Sequence, residues 1–309
     1  VSDHLTEIAE ILLRKVLELA WADLLPKFGQ PRCVVDGVER DASFVIVAYG
    51  KLGGIELNYG SDLDLVFLHD SAGDRQFTVG PRSIDNPTFF ARLVQRIIYW
   101  LTTRTGAGDL YEVDTRLRPS GRAGLLVSSF EAFAEYQHHQ AWTWEHQALT
   151  RTRVVAGPAA LVERFQTIRR AVLGRERDPA TLRQEVRDMR ERMRAELDAS
   201  TAEVFDLKQG RGGIADIEFV VQYEILANAR RYPDLLIYPD NIRQLDGLER
   251  FGVLSIADAA RLRNAYRGLR RRIHQLKLQE QPAQIPMDEA RDERDSVIRV
   301  WRRLMEGDG

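Results

Sequence analysis

At 309 residues the chain is longer than one typical domain, and two domains are expected. A net charge of −2 leaves no broad basic field, so nucleic acid and anionic membrane are not expected partners. The single cysteine, Cys33, excludes an internal disulfide and a cysteine-rich zinc site. It fits a reducing compartment, and with no membrane-length apolar run and no signal-peptide pattern a cytoplasmic location is expected.

In chain order, apolar residues at helical spacing (Leu5, Ile8, Ile11, Leu12, Val16, Leu19) predict a first helix over Leu5 to Leu25, stopped by Pro26, Gly29 and Pro31. Phe44 to Tyr49 and Leu63 to Leu68 read as buried strands, and Ser71 to Pro87 as a loop. Phe89 to Thr103 reads as a helix with Phe90, Leu93, Val94, Ile97, Ile98 and Leu101 on one face. Leu110 to Leu117 alternates like a strand, and Gly124 to Val127 is a further strand. Ser128 to Tyr136 and Trp142 to Arg153 read as helices. After Gly157-Pro158 strand signals fade. Leu182, Val186, Met189, Met193 and Leu197 form one helical stripe, read as core, and helices follow at Ile214–Ala229 and Ala257–Leu278. The expected organisation is an α/β domain over 1–157 and a helical bundle domain over 158–309.

The stretch "GKLGGIELNYGSDLDLVFLHD", Gly50 to Asp70, sets a glycine turn and two acids at the mouth of a buried strand. Residues two apart on a strand face the same way, so Asp62 and Asp64 project together. Two carboxylates about 5 Å apart repel by roughly 3 kcal/mol at an effective dielectric near 20. A divalent cation removes that repulsion, and hard oxygen ligands suit Mg²⁺. Taken alone, an Asp-x-Asp pair reads as a solvated strand start or a helix cap. Two neighbours change that. "LYEVDTRLRPSG" places Asp114, Arg116 and Arg118 on one strand face, which suits a third metal ligand beside guanidinium groups that hold phosphate; each could also form an internal ion pair. The Gly50–Gly54 turn lets backbone amides approach a phosphate, although it lacks the spacing and terminal Lys-Ser/Thr of a Walker loop. Lys51 either reaches a phosphate or caps the turn. Together these parts point to metal-assisted nucleotidyl transfer.

The glycine turn, the Ser-Asp-x-Asp strand and a third carboxylate on a later strand resemble the DNA polymerase β nucleotidyltransferase superfamily. Within it, "GKLGG…SDLDL", "VDTRLRPSG", "AWTWEHQAL" (Ala141–Leu149) and "RGGIADIEF" (Arg211–Phe219) are similar to the bacterial glutamine synthetase adenylyltransferases, two-headed enzymes whose carboxy-terminal half adds AMP and whose amino-terminal half removes it. The resemblance runs from Leu5 to Trp301 and favours the adding half; the other half is not in the chain, so a fragment is expected. It implies a polymerase β-like mixed sheet with flanking helices. It implies that Asp62, Asp64 and Asp114 are catalytic and bind Mg²⁺ or Mn²⁺. Gly53, Gly54 and Ser61 would cradle the triphosphate of ATP, with Lys51, Arg116 and Arg118 beside them. The implied acceptor is a tyrosine hydroxyl of glutamine synthetase, with PII signal protein and glutamine as effectors. The alternatives are the phosphorolytic adenylyl-removing half and a non-catalytic nucleotide- or PII-sensing module.

Three further features carry expectations. Trp142 and Trp144 read as packing residues rather than adenine stackers, and His138 and His139 as exposed helix residues. Lys208 and Arg211 flank the glycine-rich Gly210–Gly213, and Lys208 or Arg211 is expected to reach ATP phosphate or the acceptor protein across the domain cleft. Asp216 and Glu218 read as acids favouring the first turn of the next helix.

Overall fold

The computed structural model describes residues 1–104, 106 and 108–307. In chain order the elements are α1 (Ser2–Phe28), β1 (Gln30–Val35), β2 (Val38–Asp41), β3 (Phe44–Ala48), α2 (Gly50–Gly53), β4 (Leu63–His69), β5 (Asp74–Val79) and α3 (Asn86–Thr102). Then come β6 (Val113–Asp114), β7 (Ser128–Ser129), α4 (Phe130–His139), α5 (Thr143–Leu149), β8 (Arg153–Ala156), α6 (Ala159–Leu173) and α7 (Pro179–Leu197). The chain closes with β9 (Val204–Asp206), α8 (Ile214–Asn228), α9 (Asn241–Arg250), α10 (Ile256–Leu278), β10 (Gln284–Pro286) and α11 (Arg291–Trp301). These fall into two compact units: Val1–Ala141 with Arg151–Val172, and Trp142–Thr150 with Leu173–Gly309. No helix among the described residues is long and apolar enough to cross a membrane.

The first unit is built on a mixed five-stranded sheet ordered β6-β4-β3-β8, with β7 also on β4. β3 is antiparallel to β4 and to β8, while β6 and β7 run parallel to the two ends of β4. Every residue of β3 is buried. Leu13, Val16 and Ala20 of α1 and Phe89, Phe90, Leu93, Val94 and Ile97 of α3 share one core with it. The α3 face read from the sequence is the buried one, but α1 buries Ala9, Leu13, Val16, Ala20 and Leu24 and leaves Ile8, Ile11 and Leu19 of its expected face exposed: apolar residues ring this helix, so spacing alone does not single out the buried side. α1 runs through Pro26 and ends at Gly29, whose φ of 81° only glycine takes readily.

A second, antiparallel sheet, β2-β1-β5, was not expected. Asp36 and Gly37 make its hairpin turn at φ 52° and 79°, a left-handed pair that matches strand twist. β5 falls where a loop is expected: its composition is polar, and antiparallel pairing with β1 decides its conformation. The expected helix over Trp142–Arg153 ends at Leu149, and Arg153–Ala156 is strand β8. The expected strand over Leu110–Leu117 shrinks to Val113–Asp114, and Gly124–Val127 forms no strand. Arg116 N–H donates to Asp114 Oδ1 at 2.8 Å, and this side-chain turn bends the chain out of the sheet.

The second unit is helical, with the small antiparallel pair β9–β10 added. α8, buried on nearly all sides, is its centre. The stripe on α7 is buried at Leu182 and Val186 but continues into Arg190 rather than the methionines, and Leu197 is exposed. Asp216 is the cause. It is buried, not a solvated helix-start acid, and its Oδ1 accepts from Arg190 Nε at 2.7 Å and Arg194 Nη2 at 2.8 Å.

Candidate active site

β4 enters the sheet at Leu63, flanked by Asp62 and Asp64. β6 lies parallel beside it, with Leu63 opposite Val113 and Asp64 opposite Asp114. Opposed residues of adjacent strands share a face, so two carboxylates meet across the strands and Asp62 joins them from the strand mouth. One carboxylate oxygen from each of Asp62, Asp64 and Asp114 lies within 4.8 Å of the others. Among the described residues no other trio of histidine, cysteine, aspartate or glutamate is so placed. Three hard oxygen donors on an edge open to solvent suit a divalent cation of the Mg²⁺ or Mn²⁺ kind.

The electrostatics agree with that donor set. Burial first, then the charges of Asp62 and Asp114, pushes the Asp64 carboxyl from 3.8 up to about 6; Lys51 and Arg116 pull the other way. Asp114 is held below the ordinary carboxylate range, chiefly by hydrogen bonds from the Arg116 side chain. Arg116 Nε donates to Asp114 Oδ2 at 2.7 Å, and its Nη2 also reaches that oxygen. Arg116 therefore sits on the third carboxylate rather than beside it on a strand face. Arg118 donates to Thr115 O at 2.8 Å and Gly124 O at 3.2 Å, which fixes the turn after β6. A cleft of about 500 Å³ opens here, lined by Asp62, Glu112, Asp114, Arg116, Arg118 and Arg122.

The glycine turn is the short helix α2, packed against β4. Gly50 has φ 54°, and a β-carbon there would fall on Asp64 Oδ2. A β-carbon on Gly53 would strike the carbonyls of Arg151 and Ala48. These glycines let α2 lie against the carboxylate edge. The expected open cradle of Gly53 and Gly54 amides is not formed: they donate to Tyr49 O at 2.8 Å and Gly50 O at 3.0 Å, inside the turn. Ser61, buried, accepts from Asn58 N–H at 3.1 Å and closes the loop before β4.

The sequence reading missed the residues that hold α2. Arg153 donates through Nε to Gly53 O at 3.1 Å and through Nη2 to Leu52 O at 2.9 Å, and pairs with Glu10 of α1 at 2.6 Å. Arg151 forms a buried pair with Glu56. The available signal was Val154-Val155, a β-branched pair better suited to a strand than to a helix end.

Of the remaining expectations, His138 and His139 are exposed at the end of α4. Trp142 is 71% exposed and Trp144 is also exposed, so neither is the packing residue expected. In the second unit Lys208 is exposed and Arg211 pairs with Glu306 at 3.3 Å. The glycines between them have local reasons: Gly212 has φ 86° and donates to Asp216 Oδ2 at 2.7 Å, and Gly210 packs on the Phe205 ring.

Residues 1–168 match the profile of the glutamate-ammonia ligase adenylyltransferase family, and residues 180–296 match that of GlnD PII-uridylyltransferase. The chain is 57% identical over 306 residues to the bifunctional glutamine synthetase adenylyltransferase/adenylyl-removing enzyme of Thioalkalivibrio sulfidiphilus, an alignment covering 99% of this chain and 32% of that protein. The enzymes of the same name from Nitrosococcus oceani and Hahella chejuensis are 50% and 51% identical, over 99% and 98% of this chain and 32% of each relative. The chain thus spans about a third (32%) of the length of the curated relatives it matches.

Proposed function

The chain belongs to the glutamate-ammonia ligase adenylyltransferase family, and from that premise we propose that it transfers AMP from ATP to a tyrosine hydroxyl of glutamine synthetase. The observation that carries this reading is the convergence of Asp62, Asp64 and Asp114, two of which, Asp62 and Asp114, line one cleft with Arg116, Arg118 and Arg122. We further assign the polymerase β-like nucleotidyltransferase fold to a catalytic domain over residues 1–157, followed by a helical domain over 158–309. The mixed sheet, with acids on two adjacent parallel strands, supports that assignment.

In the proposed reaction the tyrosine hydroxyl gives up its proton to water, its oxygen forms a bond to the α-phosphorus, the bond to the β-phosphate oxygen breaks, and pyrophosphate leaves with that electron pair. Asp62, Asp64 and Asp114 would hold a divalent cation, which would supply charge neutralisation at the phosphates. Asp64, with its carboxyl displaced upward, is the acid whose charge most needs that partner. Arg116 is positioned to exchange its contact with Asp114 for a phosphate oxygen, since guanidinium groups serve both bidentately. Arg118 and Lys51 add positive charge on either side. Gly53, Gly54 and Ser61 act by letting the backbone of α2 and its following loop sit close to the edge. PII signal protein and glutamine are the proposed effectors, the first in keeping with the uridylyltransferase-type match over 180–296. A cytoplasmic location goes with these partners.

Incubation with labelled ATP, Mg²⁺ and glutamine synthetase tests the reading. Labelling of a tyrosine with release of pyrophosphate is expected. Asp64→Asn and Asp114→Asn should each reduce the rate by about a hundredfold or more while leaving the fold intact. Normal turnover in folded Asp64→Asn protein refutes the assignment. The relatives' name carries both activities, so removal of AMP is the second reading. Phosphate-dependent release of ADP without forward labelling would establish it instead. Nucleotide binding with neither reaction would leave a sensing module.

A further inference from the structure

β4 carries acids at its first residues and His69 at its last. At the His69 end, within the first unit, lies a second cavity of about 640 Å³. Pro87, Ala91, Leu126, Val127 and Ala132 make its walls largely apolar. Several polar side chains along it are already engaged. Ser71 Oγ donates to Gln76 Oε1 at 2.8 Å and accepts from Asn86 Nδ2 at 2.8 Å. Glu131 is paired with Arg164.

His69 differs from these. It is 5% exposed, stacks on Phe90 with centroids 4.6 Å apart and lines the cavity, and among the described residues its buried Nδ1 has no partner. Burial pushes its imidazole down to about 4, against the pull of Asp70 and Glu131, so the ring is neutral at physiological pH. A neutral imidazole has one nitrogen that donates and one that accepts.

The geometry points to this cavity as a binding site for a small uncharged molecule with an aromatic or branched apolar body and one hydroxyl, paired with the imidazole of His69 that lines it. The volume is that of a small-molecule site. No lysine or arginine lines it, so phosphates have no counter-charge, in contrast to the cleft at the other end of β4. A hydroxyl both donates and accepts, so it meets the imidazole in either tautomer. Water alone would meet the nitrogen but would make no use of the apolar walls. The inference is independent of the adenylyl-transfer reading.

The test uses phenol and toluene, matched in ring and differing in the hydroxyl, against the full chain with isotope-labelled histidine. Phenol should bind saturably, shift the His69 ring signals, and bind about tenfold more tightly than toluene, the worth of one hydrogen bond. His69→Phe keeps a ring to stack on Phe90 and removes both nitrogens; phenol and toluene should then bind alike. Absence of saturable phenol binding, equal binding of the two probes to the unsubstituted chain, or a phenol preference that survives His69→Phe overturns the proposal. Should His69→Phe not fold, the comparison in the unsubstituted chain decides alone.

Discussion

Asp64→Asn changes one oxygen to a nitrogen and removes a negative charge at the most crowded point of the carboxylate cluster. The oxygens of Asp62, Asp64 and Asp114 lie within 4.8 Å of one another. At that spacing a like-charge pair repels by roughly 3 kcal/mol at an effective dielectric near 20. Asp64 faces two such neighbours, with Lys51 and Arg116 offsetting part of the repulsion, and its carboxyl stands at about 6 instead of 3.8. Exposure of the edge and screening by salt reduce the usable figure to about 1–2 kcal/mol. Without divalent metal, at about pH 8, Asp64→Asn should therefore be more stable than the unsubstituted chain by that amount, a rise of several degrees in Tm. The sign follows from the raised carboxyl: the folded state holds its proton more tightly than the unfolded state, so the penalty is absent below the unfolded value of 3.8, grows as pH rises through about 6, and is complete above it. Mg²⁺ should reverse the order, raising the Tm of the unsubstituted chain and moving that of the variant much less. Thermal unfolding of both proteins in chelator and in millimolar Mg²⁺ makes the measurement. An Asp64→Asn protein less stable than the unsubstituted chain in chelator, or an equal Mg²⁺ response in the two, refutes the cluster as a metal site.

Glu224 is buried, and burial raises its carboxyl from 4.5 to about 7 against Arg183, Asn228 and Arg303; its contribution is full below pH 4.5 and lost as pH rises through 7, so Glu224→Gln should stabilise the chain by about 2–3 kcal/mol near pH 8 and by little near pH 4, read from denaturant midpoints at the two pH values. Arg190→Met leaves buried Asp216 with Arg194 and the Gly212 amide alone, and a loss of about 3 kcal/mol in urea unfolding is expected. Gly53→Ala drives a methyl onto the backbone carbonyls of Arg151 and Ala48, which cannot yield as a side-chain end could; it should cost about 1–3 kcal/mol in thermal or urea unfolding and weaken ATP binding measured by calorimetry.

The elements that the sequence made legible are those whose burial is set locally. α1, α3, α8 and α10 carry apolar residues at helical spacing, and β3 and β4 are short continuous apolar runs, so each was readable from its own residues. The meeting of Asp62, Asp64 and Asp114 was readable because a period of two fixes the first pair and the later acid follows an alternating stretch. The two-residue length of β6 was not readable, since it depends on Arg116 folding back onto Asp114 rather than on strand propensity. β5 was hidden for a related reason: its partner β1 lies far back in the chain, and its own polar composition carries no burial signal. The β1–β2 hairpin carries its own local signal, Asp36-Gly37 between two valine-containing runs, so it was legible in the sequence although not among the expected elements. Arg190 looked like part of a solvated face, and only the acid that meets it, 26 positions away, reveals the buried ion pair.

The two-residue clip of β6 on β4 also sets an order of events. Asp64 and Asp114 are 50 positions apart (114 − 64), and β6, two residues long, is too short to hold onto β4 alone. The β3–β4 ladder closes over a far shorter stretch and can zip early, bringing Asp64 but not its partner. Loop closure grows only slowly with length, by about 0.6 kcal/mol per doubling, so the delay comes from how little the clip gains until α3 has docked beneath it. Metal affinity then becomes a clock for the finished fold. In a refolding experiment, Mn²⁺ binding should arrive with or after the last helical phase, and its arrival first would contradict that order.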